Sequence, residues 1–164
     1  MKILSIDPSG NFEEGQGVTG LCYETLGGNI VPTLLQASDC DNAMQYYKDI
    51  VEFISDYKPK QIVMEGYRLY NHKGMKAQTQ SNSIMETSQL IGILRYECWE
   101  QCIPLTIQYA VQVKNRWSDE VLLASGLLVK KGNRFYLPDG KLITNHSRDA
   151  YRHLLHYKEY GGGK

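Results

Sequence analysis

Two short apolar runs in this sequence each end on an acid and pass at once into a turn. The first is Ile3-Leu4-Ser5-Ile6-Asp7, followed by Pro8, Ser9 and Gly10. The second is Gln61-Ile62-Val63-Met64-Glu65, followed by Gly66. A buried strand that stops on a carboxylate delivers it to a sheet edge, where ligands can reach it. Near the other end of the chain, His146, Asp149 and His153 fall at i, i+3 and i+7, on one face of an expected helix. Asp7, Glu65 and Asp149 gathered within a few ångströms would repel, so either their pKa values rise or a cation holds them. With His146 they form an oxygen-rich donor set containing one imidazole, which suits Mg²⁺ or Mn²⁺. Two such ions about 4 Å apart stabilise the attacking and leaving oxygens of phosphodiester hydrolysis. Taken singly, an acid after a strand is an ordinary turn residue, and His-x-x-Asp on a helix occurs by chance. The weight lies in their order and context.

The elements between them must bring these residues together. The first strand is followed by a polar, glycine-rich loop to Gly17, a second strand over 18–25, and a third over 29–35. Gly27-Gly28 predicts a two-residue hairpin between them, and Pro32 places the third strand at the sheet edge, where a missing N–H costs least. Ala43, Tyr47, Ile50, Val51 and Ile54 keep the 3.6 period of a helix over 39–57, with Asp39 or Asp41 as cap and Pro59 after its end. Strand, helix and strand make a right-handed crossover, so the strand ending on Glu65 should lie parallel to an earlier one. If that neighbour is the first strand, Asp7 and Glu65 stand side by side about 4.8 Å apart, close enough to share a metal ion.

Residues 67–82 are a long polar segment with Tyr67, Arg68, Tyr70, His72, Lys73 and Lys76. Ser83–Glu86 fits a capping box and opens a helix to about Cys102, apolar on more than one side, which should pack both on its own sheet and on a second surface. A fifth strand is expected over 104–109. Ser118 should cap a short helix over 119–125, and Pro138-Asp139-Gly140 should turn a small hairpin in a region made basic by Lys130, Lys131, Arg134 and Lys141. The last helix should run from Asn145 to about Tyr157, with a flexible tail over 159–164.

The chain's 164 residues suffice for one domain, 1–158, with an ordinary core. Its formal net charge is zero, but residues 1–57 hold two basic and nine acidic residues, and residues 58–164 hold sixteen and nine. Such polarity can present a basic face to a polyanion. The four cysteines, Cys22, Cys40, Cys98 and Cys102, form no C-x-x-C pair and read as buried free thiols. The start of the chain reads as a strand rather than a signal peptide, and no long apolar run suggests a membrane span, so the expected location is the cytoplasm.

Four of these stretches, in this order, resemble the motifs of the RuvC-type Holliday junction resolvases of the ribonuclease H-like superfamily. Ile6-Asp7-Pro8-Ser9 is similar to the family's opening motif, and Val63-Met64-Glu65-Gly66 to its second. Val111-Gln112-Val113-Lys114 resembles the family's Gln-Val-Lys motif, and His146-Ser147-Arg148-Asp149-Ala150 the final one. The resemblance spans about residues 1–158 and implies an α/β fold: a five-stranded mixed sheet, antiparallel over strands one to three and then parallel over four and five, flanked by helices. It implies two Mg²⁺ or Mn²⁺ ions held by Asp7, Glu65, His146 and Asp149, with Lys114 approaching the scissile phosphate. The compact form and short tail are compatible with a phage-encoded member acting in the host cytoplasm.

This chain also departs from the pattern. His146 stands where many members carry Asp, which lowers the site's charge. The loop after Asp7 is longer than usual, and the basic hairpin is an elaboration. Where members place an aromatic that pries open the junction centre, this chain has Arg68, with Tyr67 and Tyr70 beside it. Lys114, Arg116, Lys130, Lys131 and Arg134 are candidate phosphate contacts, joined by Lys73 and Lys76; Arg148 and Arg152 either reach phosphate beside the metals or flank the helix. A four-way junction needs two symmetric nicks, hence an isologous homodimer, with helix 83–102 as its expected interface. The competing readings are a nuclease for other branches or RNA, a catalytically inactive branched-DNA-binding module, and an actin-like ATPase-fold protein. The last needs a second, duplicated half.

Overall fold

The computed structural model describes residues 1–12, 17–67 and 85–161. Strands β1 (Ile3–Asp7), β2 (Val18–Glu24) and β3 (Ile30–Gln36) are followed by a 3₁₀ turn over Ala37–Asp39 and helix α1 (Ala43–Tyr57). Then come β4 (Gln61–Glu65), α2 (Glu86–Glu100), β5 (Leu105–Gln108), α3 (Ala110–Arg116) and α4 (Asp119–Ala124). Three short strands, β6 (Val129–Lys131), β7 (Arg134–Tyr136) and β8 (Leu142–Ile143), precede the last helix, α5 (Asn145–Tyr160). The main sheet has the order β3-β2-β1-β4-β5, with β1 to β3 antiparallel and β4 and β5 parallel to β1. This is the mixed five-stranded sheet expected from the crossover argument.

Strand periodicity splits the core into two layers. Leu4, Ile6, Leu21, Ile62 and Met64 face α1 and α2, joining Tyr46, Ile50, Ile54, Leu90 and Leu94. Their neighbours along the same strands, Ile3, Cys22 and Val63, face the other way, against Leu122, Ala150, Tyr151 and Leu154 of α4 and α5. Successive side chains on a strand point to opposite faces, so apolar runs without alternation are buried on both. Pro32 lies on the edge strand β3, opposite Cys22.

Several expectations are corrected in detail. The β2–β3 turn is longer than two residues: Thr25 N–H donates to the Asn29 carbonyl at 2.9 Å, and Gly28 takes φ 79° in between. That is the three-residue hairpin geometry, with glycine in the left-handed position. Helix α1 starts at Ala43 rather than 39, because Asp39 closes the 3₁₀ turn and Asn42 is the cap, accepting from Gln45 N–H at 2.9 Å. Helix α2 begins at Glu86 behind Met85, which has φ 55°; the expected cap, Ser83, lies outside the described residues. It ends at Glu100, and Cys102 beyond it is exposed, whereas Cys22 and Cys98 are buried as expected. The basic hairpin is a three-stranded sheet, β6-β7-β8, whose first strand is too short to carry a pattern. Helix α5 continues to Tyr160, so the expected tail begins inside ordered helix; Glu159 and Tyr160 both bind Arg116, and Gly161 in the left-handed conformation stops the helix.

Candidate active site

Asp7 and Glu65 close β1 and β4, and the parallel register that pairs Ile6 with Met64 leaves the two acids as the next neighbours along it. The turn behind Asp7 is tied down from three sides. Thr19 Oγ1 accepts from Ser9 N–H at 3.2 Å, Tyr46 Oη donates to the Ser9 carbonyl at 2.9 Å, and Tyr47 Oη donates to that of Gly10 at 3.1 Å. Gly10 N–H donates to Thr87 Oγ1 at 3.1 Å, and a Cβ at Gly10 would stand 2.3 Å from the Glu86 carbonyl oxygen. Glycine is required there because two backbones meet.

Helix α5 brings in the other two residues. Ser147 Oγ accepts from Thr144 N–H at 3.0 Å and fixes the first turn. That turn lies on β2 at Gly20, the residue registered with Asp7; a Cβ on Gly20 would sit 2.1 Å from the His146 carbonyl oxygen. Only a bare backbone lets the helix come so near. In consequence His146 Nδ1 stands 3.1 Å from Asp7 Oδ2. Asp149, one turn further on, pairs with Lys114 Nζ of α3 at 2.9 Å. All five residues named as the catalytic set therefore gather at one end of the sheet.

Each acid there is matched by a cation or a donor. Arg152 binds Asp149 Oδ1 through Nη1 and Asp119 through Nη2 at 2.5 Å, while its Nε donates to the Trp117 carbonyl at 2.9 Å. His153 Nε2 lies 2.9 Å from Glu65 Oε2. Burial pushes the Asp7 carboxyl above the usual carboxylate range, and the Glu65 and Asp149 charges add to this against the opposing hydrogen bond from His146. The same bond to Asp7 raises His146, outweighing burial. Burial works to lower Lys114, but the Asp149 hydrogen bond and the charges of Asp149, Glu65 and Asp7 leave it raised. Burial is the main cause of the Asp7 shift, and a divalent cation beside it would favour the charged carboxylate.

With these side-chain pairings, no group of three or more His, Cys, Asp or Glu among the described residues is close enough to hold a metal ion. The expected four-residue cluster is thus present as neighbours but not as a closed coordination shell, since Asp149 and Glu65 are turned towards Arg152, Lys114 and His153. The donor types still fit Mg²⁺ or Mn²⁺: three carboxylates and one imidazole on three elements that meet at one edge.

The remaining candidate residues divide. Tyr67 is exposed, two residues beyond Glu65. Arg68, Tyr70, Lys73 and Lys76 lie outside the described residues. Lys130, Lys131 and Arg134 are exposed on the small sheet, where Lys130 lies over Phe135 and Lys131 over Tyr136. That sheet is joined to the first turn of α5 by Arg148, whose guanidinium stacks 4.2 Å from the Phe135 ring centroid. Arg116 does not face the site: it donates to Glu159 and Tyr160, thirteen and fourteen residues, or about 20 Å, along α5 from His146. Arg148 and Arg152 are buried against Asp119, so they hold the helix rather than stand free for phosphate.

Of the residues that complete the assembly, His153 lies on the His146 face of the helix pattern, whereas nothing in the spacing along the chain marks Gln108, Asp119 or Gly20.

No family model matches this chain, and no curated protein matches it. Among solved structures, two from Thermus thermophilus are similar over its whole length: RuvC in complex with Holliday junction substrate, and RuvC by itself. Each aligns with a TM-score of 0.64 at 15% identity, covering 100% of this chain and 98% and 99% of theirs. The sheet order, the crossover and the terminal helix laid on β1 and β2 are thus those of the RuvC-type, ribonuclease H-like fold, and this chain has that fold.

Proposed function

We propose that this protein is a metal-dependent, structure-selective endonuclease that resolves Holliday junctions or related branched DNA by symmetric phosphodiester hydrolysis. The observation that carries the reading is the convergence of Asp7, Glu65, His146, Asp149 and Lys114 at one sheet edge, from four separate elements, in a fold shared with a junction-bound RuvC. Asp7, Glu65, His146 and Asp149 would hold two Mg²⁺ or Mn²⁺ ions, which supply positive charge for the attacking and leaving oxygens. Asp7 lies between Glu65 and His146. Lys114 is half-exposed beside Asp149 and offers its ammonium to a phosphate oxygen where charge develops.

Exposed Lys130, Lys131 and Arg134 supply phosphate contacts, joined by Lys73 and Lys76, and Tyr67 or Tyr70, beside Arg68 in the sequence, would be the aromatic that pries open the junction. Arg116 contributes through its ion pair to the stability of α5. Two copies act as a homodimer through α2, whose Tyr96 and Trp99 are exposed, with rings 5.9 Å apart. No helix among the described residues is long and apolar enough to cross a membrane; the proposed location is the cytoplasm, the host's if the gene is phage-borne.

The variant Asp7→Asn tests the assignment, because it keeps the shape and removes the charge. Loss of cleavage with junction binding retained is the expected result, and unchanged cleavage overturns it. A second reading, a junction-binding module without cleavage, is favoured by the pairing of every site acid with a cation or donor. Wild-type protein that binds four-way junctions but never nicks them in Mg²⁺ or Mn²⁺ would establish it.

A further inference from the structure

His153 is one of the most deeply buried polar side chains of the described chain, at 1% exposure, and it sits where three elements meet. It lies four residues after Asp149 and seven after His146 on α5, so it extends their face by one turn into the interior. Its Nε2 stands 2.9 Å from Glu65 Oε2, and its Nδ1 stands 2.9 Å from Gln108 Oε1. Glu65 and Gln108 are themselves opposite each other in the β4–β5 register. A carboxylate only accepts, so the Nε2 proton donates to Glu65; the neutral ring's Nδ1 then accepts, which assigns the Gln108 amide with its NH₂ rather than its oxygen towards the ring. Both ring nitrogens are used, and neither contact needs water.

From this we infer that His153 is a positioning residue for Glu65. It holds Oε2 and thereby presents Oε1 as the oxygen with which Glu65 reaches a bound cation. This deepens the metal-centre reading and rests on it. The chemical logic is general: carboxylates that ligate metals are themselves held by hydrogen bonds, and losing such a partner typically weakens metal affinity by about 10–100-fold. The backbone behind Glu65 is tied as well, Gly66 N–H donating to the Gln108 carbonyl at 2.7 Å, so the carboxylate's remaining freedom is that of its own side chain, which His153 holds.

Two conservative replacements separate positioning from packing. The amide nitrogen of Gln falls near the place of Nε2, and that of Asn near the place of Nδ1. His153→Gln can therefore still donate to Glu65, and His153→Asn can donate only towards Gln108. Mn²⁺ alone is titrated onto the full chain and free Mn²⁺ is followed by electron paramagnetic resonance. Four-way junction binding in metal-free buffer and thermal unfolding are measured alongside. The expected result is a loss of Mn²⁺ affinity of about 10–100-fold in His153→Asn and less than about three-fold in His153→Gln. Junction binding should stay within about two-fold of wild type in both, because neither removes a phosphate contact. Equal Mn²⁺ affinity in the two variants, whether both normal or both impaired, overturns the proposal and leaves His153 a core residue. Glu65→Gln serves as the control: if it binds Mn²⁺ as wild type does, the metal-centre reading fails. If it loses Mn²⁺ while His153→Asn keeps it, only the role of His153 fails.

Discussion

At the scale of single residues, the account turns on how charge is arranged around Asp7. Its carboxyl is raised chiefly by burial and secondarily by Glu65 and Asp149, with His146 opposing. Removing Lys114 should act on the chemistry more than on binding, since it stands half-exposed beside Asp149 while the exposed Lys130, Lys131 and Arg134 lie on the small sheet. We expect Lys114→Met to lower the cleavage rate by about 100-fold, as loss of one donor to a developing negative charge does, with junction affinity changed far less. Single-turnover cleavage and gel-shift titration on the same junction would separate the two; equal losses in both would make Lys114 a simple phosphate contact. His146 in place of a third aspartate lowers the site's charge and adds a nitrogen donor, which favours softer ions over Mg²⁺. Rates should therefore be relatively good in Mn²⁺, and a clear preference for Mg²⁺ would contradict this. Asp7, Glu65 and the His146–Asp149 pair were legible as residues because each sits at the end of a recognisable pattern. The partners that hold them were not: Arg152, Asp119 and Gln108 act across elements, and spacing along the chain says nothing of such contacts.

At the scale of elements, the site depends on how closely α5 can approach the sheet. Gly20 sets that distance, with a Cβ there meeting the His146 carbonyl at 2.1 Å. Gly20→Ala should push the first turn of α5 off β2, destabilise the fold by about 1–3 kcal/mol and separate His146 from Asp7. The melting temperature should fall by about 2–4 °C per kcal/mol for a chain of this size, together with cleavage. Gly92 on α2 is the contrasting case, as nothing lies within 4 Å of its added Cβ. Gly92→Ala should raise the stability of the monomer by about 0.5–1 kcal/mol, because alanine loses less freedom in a helix. If calorimetry found the two variants alike, close backbone approach would not be what assembles the site. The strands and crossover were readable because buried runs ending on acids bracket one periodic helix. Start points were less so: Asp39, Asp41 and Asn42 are all competent caps, and only the 3₁₀ turn through Asp39 selects Asn42. The first strand of the small sheet, Val129–Lys131, pairs through its backbone with no apolar alternation to announce it.

At the scale of the whole molecule, sixteen of the chain's eighteen Lys and Arg residues fall in 58–164, and its site lies at one end of the sheet. Binding through Lys130, Lys131 and Arg134 should weaken steeply with salt, and each lost phosphate contact should reduce the slope of log affinity against log salt by about 0.9. The exposed Tyr96 and Trp99 give α2 apolar area that a second copy would bury. Trp99→Glu should give a monomer in sedimentation while leaving the edge at Asp7 intact. Such a monomer would nick one strand of a junction without the paired second cut. The central claim is that this sheet edge cleaves branched DNA with metal, and its most direct measurement is strand-resolved cleavage of four-way, forked and linear duplex DNA by the purified protein. The account predicts paired, symmetric nicks near the branch point of the four-way junction in Mn²⁺ or Mg²⁺, abolished by chelation. Absence of nicks on the four-way junction with metal present, or equal cutting of linear duplex, would contradict it.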